Sequence, residues 1–144
     1  ELLRRTVNEF LPDANILKSS DEEREFITGT NDIEKAKDIL LRGAAELLIY
    51  TKGSGGAEAY TKTASAASPC ADAAAIDTTG AGDAFIGACL HKLAAWDTTP
   101  ENVAALDQDR LKEILDFANS YCGISVTRCG ALPSYPDLSE LSSR

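Results

Sequence analysis

Residues Asp77–Leu93 read DTTGAGDAFIGACLHKL. Gly80, Ala81 and Gly82 stand directly before an aspartate, Asp83, and an amphipathic run follows. The two glycines carry no Cβ and the alanine only a methyl group, so the backbone here can approach a ligand closely. The first N–H groups of a helix lack intrahelical partners, and the helix dipole adds partial positive charge beside them. This is an anion site built from backbone, without a basic side chain. Asp83 in the same turn has two readings. It caps the helix, or it takes a proton from an attacking hydroxyl while the amides stabilise charge on the transferred group. Positioning, charge neutralisation and a base are what phosphoryl transfer needs.

Upstream of that stretch, ELLRRTVNEF (1–10) has helical character and ANILK (14–18) reads as a short buried strand. SSDEEREFITG (19–29) predicts a short helix, with serine caps, an acidic first turn and Gly29 at its end. NDIEKAKDILLRG (31–43) places Ile33, Ala36, Ile39 and Leu40 at helical spacing. ELLIYT (46–51) is an interior strand, KGSGG (52–56) a turn, and AEAYTK (57–62) the outgoing strand of a hairpin. The Ala/Ser-rich run 63–76 is expected to be extended or loop, ending in a strand.

Helix then runs from about Gly82 to Ala95, and WDTTPENVAALDQ is a connection with one helical turn. DRLKEILDFANSYCGISVTR puts Leu111, Ile114, Leu115, Ala118 and Cys122 on one helix face. CGALPSYPDLSEL is a Gly/Pro-rich loop ending in a helical turn. Strands alternate with helices, so the class is α/β with a mostly parallel sheet and a ligand site at the carboxyl ends of the strands. No repeat and no linker divides the chain.

The 144 residues carry a net charge of −9, with 44% hydrophobic and 26% charged side chains. Such a chain has no electrostatic footprint for nucleic acid or an anionic membrane, and neither is an expected partner. Any phosphate must be held locally, by backbone N–H groups or a metal. No apolar run is long enough to span a bilayer, and no signal peptide is seen. Cys70, Cys89, Cys122 and Cys129 show no CxxC pairing and there is one histidine, so no zinc site is expected. Cys89 and Cys122 fall on apolar helix faces as reduced core residues, which points to a cytoplasmic location.

DTTGAGDAFIGA resembles the C-terminal signature of the ribokinase-like (PfkB) carbohydrate kinases, which contain a DTxGAGD motif. The resemblance covers most of the chain. SDEEREFITG (20–29) is similar to the family's N-x-x-E segment, with Glu23 at the glutamate position. TKGSGG (51–56) looks like its T-x-G-x-x-G segment. FANSYCGISVTRCGALPSYP (117–136) resembles the closing helix and its GA…P loop. ADAAAIDTTGAGDAF and ANILKSSDEE look most like the fructokinase branch, whose wording aminoimidazole riboside kinases largely share.

The resemblance implies a ribokinase-like three-layer αβα sandwich. Residues 1–144 are then one partial domain, the C-terminal nucleotide-binding and catalytic-base portion of the sheet, with the N-terminal half and lid absent. The chain opens at Glu1 and has no methionine, and it is expected to begin after that half. The implied reaction is ATP-dependent phosphorylation of a sugar hydroxymethyl group, fructose first among acceptors. Asp83 matches the base, and Gly80, Ala81 and Gly82 match the anion hole. Thr51, Gly53 and Gly56 match the nucleotide-binding turn, and Asn119 a residue near the adenine. Glu23 matches the glutamate that organises Mg²⁺ and phosphates through water. Asp77 and Thr79, with the loop around Gly130 and Ser134, match a site for a monovalent cation such as K⁺.

Each has a plainer reading. Glu23 favours a helix dipole, Thr51–Gly56 is a hairpin turn, Asn119 borders an apolar face, and Asp77 and Thr79 make turn hydrogen bonds. Two departures stand out: Ser20 replaces the asparagine of N-x-x-E, and Lys52 stands where an apolar residue is usual. Lys18 and Ser19 lie close by, within reach of a phosphate, and no role is assigned to them. His91 reads as a surface or packing histidine, and Trp96 as packing at the end of its helix.

The expected partners are a small sugar, ATP, the missing N-terminal half, and a second copy in a homodimer of the full-length protein. Without the missing half, transfer is expected to be poor, and sheet edges and apolar surface to be exposed. Other readings stay open: a non-catalytic, kinase-derived nucleotide-binding or scaffold module, or a kinase for another sugar, 2-keto-3-deoxygluconate or a riboside. A dinucleotide-binding α/β domain would want G-x-G-x-x-G, and GAGDAF lacks the third glycine.

Overall fold

The computed structural model describes residues 2–141. Four strands form one sheet in the order β1 (Ile16–Ser20), β2 (Leu47–Thr51), β3 (Ala57–Tyr60), β4 (Ser65–Ser68). β1 and β2 are parallel, with Ile16 opposite Leu47 and Ser20 opposite Thr51. The crossover between them carries α2 (Asp21–Thr28) and α3 (Ile33–Leu40). β2, β3 and β4 then run antiparallel as two successive hairpins. α1 (Leu2–Phe10) precedes the sheet, while α4 (Ala81–Ala95), α5 (Gln108–Ser125) and the short α6 (Leu138–Leu141) follow it.

The layers follow from the two-residue period of the strands. Leu47 and Ile49 of β2, Ala57 and Ala59 of β3 and Ala66 of β4 point into one core cluster with α4 and α5. From α4 come Phe85, Ala88, Cys89 and Leu93, and from α5 Leu111, Ile114, Leu115 and Ala118. Fully burying a leucine or isoleucine contributes roughly 2 kcal/mol, and Leu111, Ile114 and Leu115 are at most 1% exposed. On the opposite face, Tyr50 carries the Arg24 guanidinium of α2 4.7 Å above its ring, and Tyr60 the Lys37 ammonium of α3 at 4.6 Å. Helices, sheet and helices make three layers.

The strand expected at the end of 63–76 lies near its start instead, at Ser65–Ser68. Pro69 follows immediately. It has no N–H to give to the ladder, so pairing with β3 stops there. The chain from Pro69 to Thr78 contains no strand, and it is tied to the end of α5 by the Ile76 and Asp77 N–H groups, which both donate to the Val126 carbonyl (2.7 and 3.2 Å). Ile76 is 68% exposed rather than buried in a strand. Exposed apolar side chains also include Leu2, Leu3 and Phe10 of α1 and Leu132. Among the described residues no helix is long and apolar enough to cross a membrane.

Candidate active site

At the carboxyl ends of β1 and β2 lies a cleft of about 940 Å³. Three pieces of chain build it. Thr51, Lys52, Gly53 and Gly56 come from the β2–β3 turn, Ala81 and Gly82 from the start of α4, and Asn119 and Gly123 from α5. Lys18, Ser20, Asp21 and Glu22 close the side formed by β1 and α2. Residues far apart in sequence therefore meet, as an α/β sheet of this kind predicts.

The start of α4 is defined by glycine geometry. Gly80 is the N-cap, with φ +77°, and makes no side-chain cap. A Cβ there would lie 2.8 Å from the Ala131 Cβ and 2.9 Å from the Tyr135 hydroxyl. The Tyr135 hydroxyl donates to the Gly80 carbonyl at 3.1 Å, so the loop after α5 packs directly on this turn. The Ala81 N–H donates to the Thr78 carbonyl (3.1 Å), and the regular ladder begins with the Ala84 N–H donating to the Gly80 carbonyl (2.8 Å). Gly82 and Asp83 between them keep the N–H groups that no backbone acceptor takes, so the donors sit one residue further along than the glycine pattern suggests. Asp83 is the third residue of α4 and is exposed. It does not cap the helix, which overturns the plainer of its two readings.

Glu23 is placed differently. Its Oε2 accepts from the Ser20 N–H at 2.8 Å, and the Ser20 Oγ accepts from the Glu23 N–H at 3.3 Å, a reciprocal capping box. That box explains why serine serves at position 20. The same Oε2 accepts from Lys18 Nζ at 3.3 Å. Partial burial raises the Glu23 pKa, but the Ser20 N–H and then Lys18 outweigh it and hold the carboxyl below its ordinary value.

The β2–β3 turn is both a hairpin turn and a wall of the cleft. Gly56 has φ +86°, and a Cβ on it would lie 2.2 Å from the Ser68 carbonyl oxygen, so only glycine lets β4 close over the turn. Lys52, unusual for its position, is neutralised by Glu58 Oε1 at 2.5 Å, and the Tyr60 hydroxyl donates to Glu58 Oε2 at 2.6 Å. Asn119 is buried and lines the cleft, and its Nδ2 donates to Ser68 Oγ (2.9 Å) and to the Ser68 carbonyl (3.3 Å). As seen here it anchors the end of β4.

Asp77, Thr79 and Gly130 are joined to one another and do not line the cleft, and Ser134 is bonded elsewhere. Asp77 Oδ1 accepts from the Thr79 N–H (2.9 Å) and Oδ2 from the Gly130 N–H (2.8 Å). The Gly130 N–H and then Thr79 hold the Asp77 carboxyl down at about 2. Ser134 is buried, with its hydroxyl 2.8 Å from that of Ser125. His91 is exposed and stacks on Phe117 (5.7 Å), and Trp96 lies between Lys92 and Arg110 at the end of α4. Cys89 is fully buried. Among the described residues no group of three or more His, Cys, Asp or Glu side chains could hold a metal ion.

The residue that sequence reasoning left without a role is Lys18. Its Nζ lies 3.5 Å from where a Gly82 Cβ would stand. Its place beside the Ser20–Glu23 segment is legible in the sequence, but its approach to α4 is not, because strand β1 and helix α4 are distant in the chain.

Fold and site together define a ribokinase-like α/β protein whose cleft ends in an uncapped helix N-terminus. The pfkB family of carbohydrate kinases matches residues 2–138, and the chain belongs to that family. It is 36% identical over 131 residues to probable fructokinase-4 of Arabidopsis thaliana, covering 90% of this chain and 39% of that protein. A fructokinase from Xylella fastidiosa with bound ATP shares 30% identity at a TM-score of 0.90, over 99% of this chain and 46% of its own. A fructokinase double mutant from Vibrio cholerae O395, in its fructose-, ADP- and potassium-bound form, shares 29% identity at a TM-score of 0.80, over 98% of this chain and 44% of its own. The chain thus spans about two-fifths of the curated relative's length.

Proposed function

We propose that the chain is the nucleotide-binding and catalytic-base portion of an ATP-dependent sugar kinase, with fructose as the first candidate acceptor. The observation that carries this reading is the uncapped start of α4 opening into the same cleft as the Thr51–Gly56 turn. ATP lies along that turn and past Asn119, with its terminal phosphate toward Gly82. Asp83 takes the proton of the sugar hydroxymethyl group. The amides at the start of α4 stabilise charge on the phosphoryl group as it moves.

Magnesium neutralises the phosphates, and Glu23 meets it through water, since Mg²⁺ keeps much of its hydration. Its carboxylate fits that role because both of its polar contacts fall on one oxygen, Oε2. A monovalent cation such as K⁺ is assigned to the loop of Asp77, Thr79, Gly130 and Ser134. There each Asp77 oxygen already accepts one N–H and has lone-pair capacity left.

Most sugar contacts belong to an N-terminal half that pairs with this one, and the whole enzyme works in the cytoplasm as a homodimer. The exposed apolar faces of α1 and Ile76 and the open edge of β1 are consistent with such cover, and the four free thiols are consistent with a reducing compartment.

The test is coupled ADP release by the full-length enzyme, with Mg·ATP, K⁺ and a panel of fructose, ribose, 2-keto-3-deoxygluconate and nucleosides. Saturable turnover with one acceptor, abolished in Asp83→Asn, is the expected result. ATP binding with no turnover on any acceptor would replace this reading with a nucleotide-binding or scaffold role.

A further inference from the structure

We infer that Lys18, held by Glu23 against the Gly82 end of α4, is the side-chain cation that neutralises the phosphoryl group during transfer. The inference rests on the kinase reading above and assigns to its anion site a charge that the backbone alone does not supply.

Three observations place Lys18 there. Its side chain leaves the middle of β1 and lines the cleft with Gly82 and Thr51. Its ammonium lies 3.5 Å from the position of a Gly82 Cβ, at the first turn of α4, whose Gly82 and Asp83 N–H groups have no backbone acceptor. Its charge partner is Glu23, at 3.3 Å through Oε2. That carboxylate also accepts from the Ser20 N–H, so it is a fixed anchor and not a mobile one.

The surrounding charge makes the lysine matter. The chain carries −9 overall, and Asp21 and Glu22 line the same cleft. Asp21 is offset by Arg24 at 3.6 Å, but a nucleoside triphosphate entering beside Glu22 meets repulsion that two amide donors only partly offset. The Lys52 ammonium, also at the cleft, is spent on Glu58 at 2.5 Å. Lys18 is only 22% exposed, while Glu23 is 53% exposed. The ammonium is therefore the more shielded member of the pair, where a charge-assisted hydrogen bond to phosphate is stronger than in bulk water.

In the reaction, the bond from the terminal phosphorus to the bridging oxygen of ATP breaks, and its electron pair stays on ADP. A bond forms from that phosphorus to the sugar oxygen, whose proton passes to Asp83. Lys18 keeps its own protons throughout and offsets the charge spread over the peripheral phosphoryl oxygens. Methionine's unbranched thioether chain fills much of the volume of the lysine stem, so Lys18→Met removes the charge with little change in shape.

The test compares wild type, Lys18→Met and Lys18→Arg in the full-length enzyme by initial rates, and by calorimetric binding of ADP and a non-hydrolysable ATP analogue. Lys18→Met is expected to lower kcat about 100-fold or more, in line with loss of one transition-state donor. The KM for ATP should rise no more than about tenfold, in line with one charged hydrogen bond to the ground-state phosphate. Analogue affinity should fall about tenfold and ADP affinity less than about threefold, because the lysine faces the terminal phosphate. Lys18→Arg should recover part of kcat.

A kcat for Lys18→Met within about threefold of wild type overturns the inference. So do equal losses of ADP and analogue binding, the result expected if Lys18 only anchors Glu23. If wild type phosphorylates no acceptor, the kinase reading fails by itself, and the analogue-to-ADP ratio still decides whether Lys18 reads the terminal phosphate.

Discussion

Two helices begin at the cleft, and each has an acidic residue at its third position. In α2 that residue is Glu23 and in α4 it is Asp83. Glu23 reaches back to the Ser20 N–H and closes a capping box, so two of the donors at this end are satisfied from within. Asp83 makes no such bond, and its N-cap is a glycine in the left-handed conformation. The same residue class at the same position therefore does two different things. A longer side chain opposite a serine finishes a helix, whereas a shorter one after glycine leaves both carboxylate and amides free. The proposed anion fits α4 better than α2, because no side-chain cap takes donors there.

The comparison breaks most visibly at Asp83. Asp83→Asn should lower kcat about 1,000-fold, the scale of a lost general base, with ATP affinity unchanged within a few-fold. Near-normal turnover in that variant would put Asp83 on the same structural footing as Glu23. The next largest effect is on folding. Gly80→Ala puts a Cβ 2.8 Å from that of Ala131, at φ +77°. A left-handed alanine and a forced shift of the loop together cost about 3 kcal/mol, which thermal melting should register as a drop of roughly 10 °C. A melting point within a degree of wild type would mean that the 131–135 loop does not pack on this turn.

At α2, Ser20→Ala removes the cap and should cost about 1 kcal/mol, read by urea denaturation. No loss would show that the box seen here contributes nothing to stability. The smallest effect appears only in acid. The Asp77 carboxyl is lowered from 3.8 to about 2 by the Gly130 and Thr79 N–H groups. A lowered carboxylate stabilises the fold above its ordinary range, and this is lost as pH falls through its folded value. Asp77→Asn should therefore be less stable than wild type at neutral pH, with the difference shrinking as pH falls from about 4 to about 2. A difference constant across that window would remove the charge from the explanation.

How far the sequence could be read depended on distance along the chain. The capping of α2 by Ser20, its stop at Gly29, the apolar face of α5 and the hairpin after Thr51 all follow from residues three or four apart, or from a single turn, and the structure has them where the pattern put them. The DTTGAGD stretch pointed to the family, which the match over residues 2–138 then showed. The strand in 63–76 lies elsewhere for a local reason as well: alanine and serine carry no clear period, and Pro69 stops the strand early.

What only the tertiary structure decided concerns pairs that no spacing rule connects. Whether Asp83 caps its helix depended on Gly80 being held left-handed by Ala131 and Tyr135 from the far side of α5. Asn119 was found on Ser68, and Asp77 on Gly130, only once the helices had packed across the sheet. Lys18 could be set near a phosphate from the sequence, but that its ammonium lies 3.5 Å from the Gly82 Cβ position at the start of α4 is seen only in the folded chain. Local hydrogen bonding and periodicity are encoded in neighbouring residues. The meeting of strand ends with helix ends is set by burial of the whole core, which neighbouring residues do not report.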